Sequence, residues 1–351
     1  MSHAPGIGCE LFALGHAVVD VEFSVSRTLL TDLGYTPGGR YLIDEGQFHI
    51  LHAALQAPGA EAEWVAQSGG GSAANAIVTA QRLGARCHFA GKLARDAAGW
   101  FYQQTLQNEG IELPDTPLAD GTSGHCLVLV TPDAERTMLL HLGVTTRLDS
   151  GYIDLQRLRQ SRYLFLESYL VTDAIARQSV EAALEVARAA EIPVCLSLSD
   201  PDIVHHWRMH LEDWLHPPIT TLLGNEAEAL AWTGQDSLEE AMVTLGDLAE
   251  QVVITRGAAG ALIRDRSGQQ AVTAPSVNAV SSLGAGDTFA GALLYGLCCE
   301  QWSLSQATVF ASRCAARKVE FNGPRLAREQ LIWVYSQYCE DDNAASGETG
   351  R

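Results

Sequence analysis

The chain has 351 residues, of which 47% are apolar, and its 42 acidic residues outnumber 23 basic ones to leave a net charge of −19. This length and apolar fraction predict a packed protein with one large domain and a smaller appendage, and they exclude a disordered chain. The charge argues against a nucleic-acid partner, because no basic run is present to offset phosphate charge.

The eight cysteines are scattered, mostly in apolar segments, and form neither a C-x-x-C pair nor a zinc-spaced set with histidine. We expect them to be reduced, buried thiols. The first 15 residues lack a basic segment followed by an apolar one, and no stretch of about 18 apolar residues occurs. We therefore expect a cytoplasmic protein with no membrane partner.

Short apolar runs alternate with segments of helical periodicity along the chain. Strands are predicted at residues 9–14, 18–25, 88–93, 163–167, 194–199, 220–223 and 252–255. Helices are predicted at residues 72–84, 174–190, 238–249 and 289–299. The alternation predicts an α/β fold with a doubly wound, mostly parallel sheet that carries helices on both faces.

Residues 18–45 and 121–145 break this alternation. The second region contains a predicted hairpin, because apolar runs flank a Pro132-Asp133 turn. We expect the two regions to pair as a small β-sheet, either a lid that excludes water from a substrate or an edge extension or dimer surface. Residues 8–17, 46–120 and 146–338 then form the large domain, and 339–351 a disordered tail.

The segment at residues 282–291 reads SLGAGDTFAG and precedes the last predicted helix. Gly284 and Gly286 are predicted to turn the backbone with positive φ, so that amides around Ala285 bind an anion. Asp287 can then accept the proton of an attacking hydroxyl during phosphoryl transfer. A plain loop-to-helix turn capped by Asp287 explains the same letters.

A second glycine turn at residues 68–75 reads SGGGSAAN and precedes a predicted helix. Gly70 and Gly71 let a ligand approach the backbone, and Asn75 offers it a donor and an acceptor. A strand-to-helix turn with a capping serine is the alternative. Asp20 adds a carboxylate at the junction of the large domain and the small sheet, or is a strand-end aspartate exposed to water.

Polar residues also follow two later strands. Asn225 and Glu228 lie three apart at a helix start, where they can orient magnesium-bound water or form a capping Asn with a reaching Glu. Thr255, Gly257 and Gly260 lie in a turn that can border a nucleotide or start a hairpin.

The region of the small sheet adds further candidates. Arg136 can reach a transferring phosphate as a positive clamp, or it is a solvated hairpin charge. A nucleoside base needs an apolar or aromatic slot, for which Phe23, Tyr41 or Leu42 are candidates. The chain has no P-loop motif and no G-x-G-x-x-G between a strand and a helix.

Taken in order, six segments of the chain resemble the PfkB (ribokinase-like) family of carbohydrate and nucleoside kinases, over about residues 10–330. The segments are Gly15…Asp20, Gly70-Gly71…Asn75, Gly91-Lys92…Asp96…Gly99, Asn225…Glu228, Thr255-Arg256-Gly257 and Gly284-Ala285-Gly286-Asp287. VDVEFSVS at residues 19–26, LIDE at 42–45 and TPDAERTM at 131–138 are most similar to the bacterial adenosine-kinase-like branch.

The resemblance implies roles for individual residues. Asp287 would be the catalytic base for a primary 5′-type hydroxyl, the amides of residues 284–286 the anion hole, and Arg136 a contact to the transferred phosphate. The implied substrate-binding residues are Asp20, His16, Gly70, Gly71 and Asn75. The implied nucleotide-binding residues are Asn225, Thr255, Gly257 and Gly260, with Asn225 and Glu228 organising magnesium through water.

The chain also departs from the family pattern. Ser281-Ser282-Leu283 stands where the family often has Asp-Thr-Thr or Asp-Thr-Asn, which removes a carboxylate associated with a monovalent-cation site and argues against potassium activation. His16 replaces the usual Asn, and Arg95 stands where a first Asp is common. Both changes weaken the adenosine assignment more than the kinase assignment.

The sequence therefore predicts an ATP- and magnesium-dependent kinase that phosphorylates the primary hydroxyl of a nucleoside, with adenosine as the first candidate. A sugar kinase of the same family and a non-catalytic ligand sensor with the same fold are the alternatives. The expected partners are the small-molecule substrate and ATP, and the expected assembly is a monomer or a homodimer formed through the small sheet.

Overall fold

The structure is a computed structural model that describes residues 10–133 and 135–348, with side chains as far as Asp341. Its strands within these ranges form two sheets. The larger sheet has the strand order β13-β12-β11-β10-β9-β8-β1-β5. These strands are β1 (Leu11–Leu14), β5 (Cys87–Ala90), β8 (Tyr163–Glu167), β9 (Val194–Ser197), β10 (Ile219–Asn225), β11 (Ala249–Thr255), β12 (Ala261–Asp265) and β13 (Gly268–Val272).

The larger sheet is parallel from β5 through β11 and antiparallel at β12 and β13. Its parallel strands are short apolar runs because both of their faces are buried, which is the pattern that predicted them. The predicted mostly parallel sheet with helices on both faces is confirmed. Residue 9, where the first predicted strand begins, lies outside the described residues.

The smaller sheet has the order β3-β7-β6-β2-β4. Its strands are β2 (Val18–Val25), β3 (Arg40–Leu42), β4 (Ala62–Gly70), β6 (Gly124–Val130) and β7 (Arg136–His141). Strands β6 and β7 form the predicted hairpin, and β2 pairs with β6 in parallel.

The extent of the smaller sheet differs from the predicted boundaries. Strand β4 pairs antiparallel with β2 along its whole length, whereas the sequence predicts that residues 46–120 belong to the large domain. Most side chains of β4 are exposed because it is an edge strand, and it is polar at Glu63, Gln67 and Ser68. It therefore lacks the apolar run by which the other strands were predicted.

Twelve α-helices accompany the sheets within the described residues. They are α1 (Arg27–Asp32), α2 (Glu45–Gln56), α3 (Ser72–Leu83), α4 (Ala97–Asn108), α5 (Leu155–Arg159), α6 (Ala174–Ala189), α7 (Pro201–Leu215), α8 (Glu226–Thr233), α9 (Leu238–Leu245), α10 (Ala285–Cys298), α11 (Leu304–Val319) and α12 (Arg328–Glu348). Each of these helices is too short or too polar to cross a membrane.

Alternate residues of the large sheet face two separate cores. Leu11 and Ala13 of β1 pack with α3, α10 and α11, whereas Phe12 and Leu14 pack with α6 to α9. Side chains of a strand alternate between the two faces of the sheet, and the apolar side chains of an amphipathic helix form one stripe. Each helix therefore buries its apolar stripe against one face of the sheet. The carboxyl ends of the parallel strands lie at one edge of this sheet, where ligands bind in open α/β folds.

The C-terminal segment and the cysteines complete the comparison. Helix α12 continues to Glu348, so residues 339–348 are helical, whereas the sequence predicts a disordered tail there. Val334 and Tyr338 are buried and anchor this helix on the core.

Cys126, Cys195 and Cys314 are buried, and burial raises the pKa of each thiol, as expected for unreactive cysteines. Cys9 lies outside the described residues.

Candidate active site

Helix α10 begins in a tight turn at Gly284. This residue has φ of 74°, and a Cβ atom there would lie 1.9 Å from the carbonyl oxygen of Pro324, so only glycine fits. Gly286 differs from the prediction, because it lies in the helix and has no positive φ. Its outer side is open, with no atom within 4 Å of a Cβ built there.

The predicted anion hole is smaller in the structure. The N–H of Ala285 donates to the carbonyl oxygen of Ser282 at 3.1 Å, so it is used within the turn. No side chain caps this helix start. The first N–H groups of a helix have no partner within it, which leaves those of Gly286 and Asp287 for an anion.

Asp287 lies in the first turn of α10, half-buried, with its carboxylate held at both oxygens. The hydroxyl of Ser72 donates to Oδ1 at 2.7 Å, and Nδ2 of Asn75 donates to Oδ2 at 2.9 Å. Burial raises the pKa of Asp287, and these two hydrogen bonds together with the charge of Arg325 oppose that rise. A carboxylate held in this way is oriented, as a general base must be.

The Gly70-Gly71 turn brings α3 to this carboxylate. Gly71 has φ of 92°, and a Cβ atom there would lie 2.2 Å from the carbonyl oxygen of His16. The glycine therefore lets the loop after β1 cross the start of α3. Gly70 is constrained by a side chain instead, because a Cβ atom there would lie 2.5 Å from an oxygen of Asp20.

A buried carboxylate joins the two crossing segments. Glu167, at the end of β8, accepts the main-chain N–H of His16 at 2.7 Å and that of Ala73 at 2.8 Å. Burial raises its pKa to about 7, and both hydrogen bonds oppose the rise. Glu167 therefore holds the loop after β1 and the first turn of α3 at the carboxyl edge of the sheet.

His16 and Asp20 lie on either side of this junction. His16 is buried, its ring stacks on Tyr169 at 6.4 Å between centroids, and its Nε2 has no hydrogen-bond partner among the described residues. Burial lowers the pKa of His16 to about 4, so its imidazole is neutral at pH 7. Burial raises the pKa of Asp20 to about 7, a rise that Arg325 opposes and Asp287 reinforces.

One face of the smaller sheet is turned toward Asp287. Asp20 pairs with Cys126, which pairs with Leu140, so all three side chains share this face. The remainder of the face is apolar and partly exposed, formed by Val130, Met138, Leu140 and Leu142 around buried Val18, Cys126 and Val128.

The predicted base slot is only partly on this face. Phe23 is fully buried on the opposite face against α2, where its ring contacts His52. Tyr41 also turns away and contacts Tyr35. Leu42 is the one candidate that shares the face of Leu140, and 76% of its surface is exposed.

Arg136 shares the Asp20 face at the start of β7. Its Nη2 lies 3.8 Å from Glu22, and its Nη1 is buried without a hydrogen-bond partner in the described part of the chain. The pKa of buried Lys318 on α11 is lowered first by burial and then by the positive charge of Arg136, which therefore lies near α11.

Asn225 and Glu228 form a capping box at the start of α8. The Asn225 side chain accepts from the N–H of Glu228 at 3.0 Å, and a Glu228 oxygen accepts from the N–H of Asn225 at 3.0 Å. The second Glu228 oxygen accepts from Nδ2 of Asn225 at 2.6 Å. Burial raises the pKa of Glu228 to about 7. The alternative of a cap without metal thus accounts for every contact of this pair.

Whether magnesium would fit here depends on the side-chain oxygen atoms that could bind it. Among the described residues, no three His, Cys, Asp or Glu side chains form a cluster that could hold a metal. Magnesium usually keeps several waters and binds one or two carboxylates plus substrate phosphates, so an all-protein cage is not required. The carboxylate oxygens of Glu228 suit such binding through water.

The turn after β11 is a hairpin. Thr255 pairs with Asn225 across β10 and β11, and Gly257 and Gly260 lie in the turn that leads to antiparallel β12. A cavity of about 340 Å³ opens beside it, between β13 and α11. It is lined by Gln270, Ala271, Val272, Thr273, Ala274, Pro275, Val309 and Arg313.

Three residues that sequence reasoning missed belong to the site: Ser72, Glu167 and Arg325. Arg325 donates through Nε to Oδ1 of Asn75 at 2.8 Å. A charged residue ending an apolar strand was a signal for Glu167, since such strand ends meet at one edge. Arg325 lies in a loop 250 residues from Asn75 along the chain, and no local pattern indicates it.

The fold and site together define an α/β protein in which an uncapped helix N-terminus lies beside an oriented carboxylate. The sequence model of the pfkB family carbohydrate kinases matches residues 49–330. The chain belongs to this family, whose members transfer a phosphoryl group to a hydroxyl of a sugar or nucleoside. The predicted family and the predicted phosphotransferase class are confirmed.

Two relatives are similar to this chain over most of its length. The chain is 32% identical over 277 residues to the aminoimidazole riboside kinase of Salmonella typhimurium, covering 74% of this chain and 84% of the relative. It is 27% identical over 263 residues to the ribokinase of Haemophilus influenzae, covering 72% and 82%.

Solved structures share the fold. The adenosine kinase of Sinorhizobium meliloti superposes with a TM-score of 0.83 at 23% identity, covering 94% of this chain and 99% of that one. A ribokinase II from E. coli in complex with ATP and Mg²⁺ superposes with a TM-score of 0.74 at 18% identity, covering 94% and 99%.

Proposed function

We propose that this protein is an ATP- and magnesium-dependent kinase that phosphorylates the primary hydroxyl of a riboside, with adenosine as the first candidate. The observation that carries the proposal is the carboxylate of Asp287, held by Ser72 and Asn75 in the first turn of a helix whose N-terminus is open. General base and anion site then lie within one helical turn of each other.

In the proposed reaction, Asp287 takes the proton of the substrate hydroxyl as its oxygen bonds to the γ-phosphorus. The bond from that phosphorus to the bridging oxygen of ADP breaks, and ADP leaves with the bonding pair. The N–H groups of Gly286 and Asp287, at a turn that Gly284 makes possible, would stabilise the charge on the transferring group. Arg136 would add a cation from the smaller sheet.

The substrate would lie between the smaller sheet and the start of α3. Asp20 would accept hydrogen bonds from its hydroxyls beside Gly70 and Gly71, with His16 and Asn75 bordering the same space. The apolar face around Met138 and Leu140 supports a substrate that carries a base, because a free sugar has no apolar part to place there.

ATP would lie along the turn of Thr255, Gly257 and Gly260, with its phosphates toward Asn225 and α10. The cavity beside Gly260 has the size of small-molecule pockets and would accept the adenine ring. Magnesium, held through water by Glu228 and Asn225, would neutralise phosphate charge. The E. coli neighbour with ATP and Mg²⁺ supports both cofactors for this fold.

Aminoimidazole riboside is a second candidate substrate. The 32% identity to a kinase of that name is above that to the ribokinase relative, and this riboside also carries a flat base. His16, in the place where the family usually has Asn, and Arg95, where a first Asp is common, both weaken the adenosine assignment.

The test is an assay of ADP release with a panel of acceptors: adenosine, aminoimidazole riboside, inosine, guanosine, ribose and fructose. We expect a riboside to give kcat/KM at least tenfold above ribose and fructose. Preference for a free sugar would contradict the riboside assignment. Thermal stabilisation by a riboside without any ADP release would favour the ligand sensor.

A further inference from the structure

Arg325 reaches the candidate base through a single amide. It lies in the loop between α11 and α12, and its Nε donates to Oδ1 of Asn75 at 2.8 Å. The same amide donates from Nδ2 to Oδ2 of Asp287 at 2.9 Å. Asn75 is only 6% exposed, so both ends of its amide are used by these two neighbours.

This chain of contacts fixes which way the amide points. A guanidinium has only donors, so the Asn75 atom facing Arg325 must be the oxygen, and the NH₂ group must face Asp287. Without Arg325 the amide can turn over and present its oxygen to the carboxylate, which repels it. Arg325 thus determines the orientation of the donor that aims Asp287.

The guanidinium also carries the charge that this region needs. Asp20 and Asp287 repel each other, and Arg325 opposes the rise in pKa of both carboxyls. Its Nη2 is buried without a hydrogen-bond partner among the described residues, next to Gly69. A buried cation in this position costs free energy unless facing carboxylates compensate it.

We propose that Arg325 is a positioning residue of the active site, which aims Asp287 through Asn75 and places a buried positive charge beside Asp20 and Asp287. The inference rests on the proposed function of Asp287 as the base. It adds to that function a cation from a distant loop, which neither the family match nor the names of the relatives assign.

The charged and titratable groups around this unit come from several elements. Asp20 lies on β2, Tyr102 and Glu109 lie at α4, Arg82 lies on α3 and Glu167 ends β8. Arg82 is anchored to Glu109, and its Nη1 donates to the carbonyl oxygen of Leu326 at 2.7 Å, one residue beyond Arg325. It holds the same loop without contacting Asn75 or Asp287 in any described hydrogen bond, which makes it the structural control.

The first test compares wild type with R325M, R325K and R82M in kcat/KM from pH 5 to 9. Removing the cation in R325M raises the pKa of both Asp20 and Asp287, so the acid limb moves up by about one pH unit or more. Plateau kcat should fall about tenfold because the base is no longer aimed. R325K keeps the charge, so its limb should stay near that of wild type while kcat remains low.

R82M should lower the melting temperature and leave the acid limb in place. An R325M limb that coincides with that of wild type would overturn the proposal, as would an equal shift in R82M. If R325M does not fold, R325K decides: full kcat with lysine would show that the Nε–Asn75 contact has no role.

A second readout does not depend on turnover. Titration of the Asp287 carboxyl by ¹³C NMR should give a higher pKa in R325M than in wild type, in the absence of any acceptor. A raised pKa with no kinase activity in wild type would refute the proposed function and leave the charge role of Arg325 standing. An unchanged pKa in an active enzyme would refute the positioning role alone.

Discussion

At the scale of the residue, two hydrogen bonds and one helix turn decide what Asp287 can do. Burial raises the pKa of Asp287, because removal from water disfavours the charged carboxylate. Ser72, Asn75 and the nearby charge of Arg325 oppose the rise in pKa that burial causes. The side chain is therefore available as a base while remaining largely out of water.

The variant Asp287→Asn should keep the fold and ATP binding and lower turnover by a factor on the order of 10² or more, because the amide cannot accept the substrate proton. Steady-state ADP release and nucleotide binding by calorimetry measure the two properties. Asp247→Asn, exposed after α9, is the matched control. Turnover by the Asp287 variant close to that of wild type would show that another group is the base.

A second residue-scale prediction concerns acid stability. His88 of β5 is buried, stacks on Phe12 at 4.5 Å between centroids, and has no described partner for either ring nitrogen. Burial, then the charge of Arg157, lowers its pKa from 6.5 to about 4. Between these pH values His88 binds a proton in the unfolded chain and does not bind one in the folded chain. The free energy of unfolding therefore falls as pH drops from 6.5 toward 4.

His88→Phe should remove this loss. The gain in free energy of unfolding should be larger at pH 5 than at pH 8 by about 2 kcal/mol, since the unfolded histidine takes its proton only at the lower pH. Urea unfolding at both values measures it, with His49→Phe on the exposed part of α2 as the control. An equal effect of His88→Phe at both pH values would mean that the ring is not held neutral.

At the scale of the element, Glu167 joins three pieces of backbone. It ends β8 and accepts N–H groups from the loop after β1 and from the first turn of α3. Without the Glu167 carboxylate, the loop after β1 and the first turn of α3 would each leave one buried main-chain N–H unpaired. The carboxylate therefore sets the entry of α3, which in turn sets Ser72 and Asn75 against Asp287.

Glu167→Gln should lower the free energy of unfolding by about 1–3 kcal/mol, because the amide has one acceptor oxygen and leaves one main-chain N–H unpaired. Urea titration at pH 7 measures the change. Glu185→Gln, on the exposed side of α6, should change stability by less than about 0.5 kcal/mol. Equal stability of both variants would indicate that Glu167 does not clamp the crossing.

At the scale of the molecule, an ion pair joins the two sheets across the cleft. Nη1 of Arg40, on β3, lies 3.0 Å from Oδ2 of Asp200, which also caps α7. Arg40 pairs with Met138 and so shares the apolar face that Asp20 belongs to. The pair lies where the smaller sheet meets the large domain and would hold the two together over a bound substrate.

Arg40→Met should raise KM for the acceptor by up to about fivefold and leave overall stability nearly unchanged, because an exposed ion pair contributes less than about 1 kcal/mol. Acceptor titrations and thermal melts measure the two effects. Arg266→Met removes the exposed pair with Glu250 at 3.3 Å, on β11 and the β12–β13 turn, as the control. An unchanged KM in the Arg40 variant would mean that the pair does not hold the cleft closed.

Much of the fold follows from local sequence patterns. The bounds of β2 and β8 match the predicted strands, and the hairpin of β6 and β7 follows from its Pro132-Asp133 turn. Apolar period and turn residues act over a few positions, so they can be seen without knowing the fold. Glycine at 71 and 284 belongs to the same class, because each turn requires it.

Other features depend on contacts between distant segments. The polar edge strand β4, the turning of Phe23 toward α2 and the approach of Arg325 to Asn75 each need a partner far away in sequence. The sequence by itself determined the family, the α/β class and the carboxylate at the helix start, since these rest on short patterns. Only the tertiary structure decided which side chains orient that carboxylate, because burial and electrostatic interaction depend on distance in space.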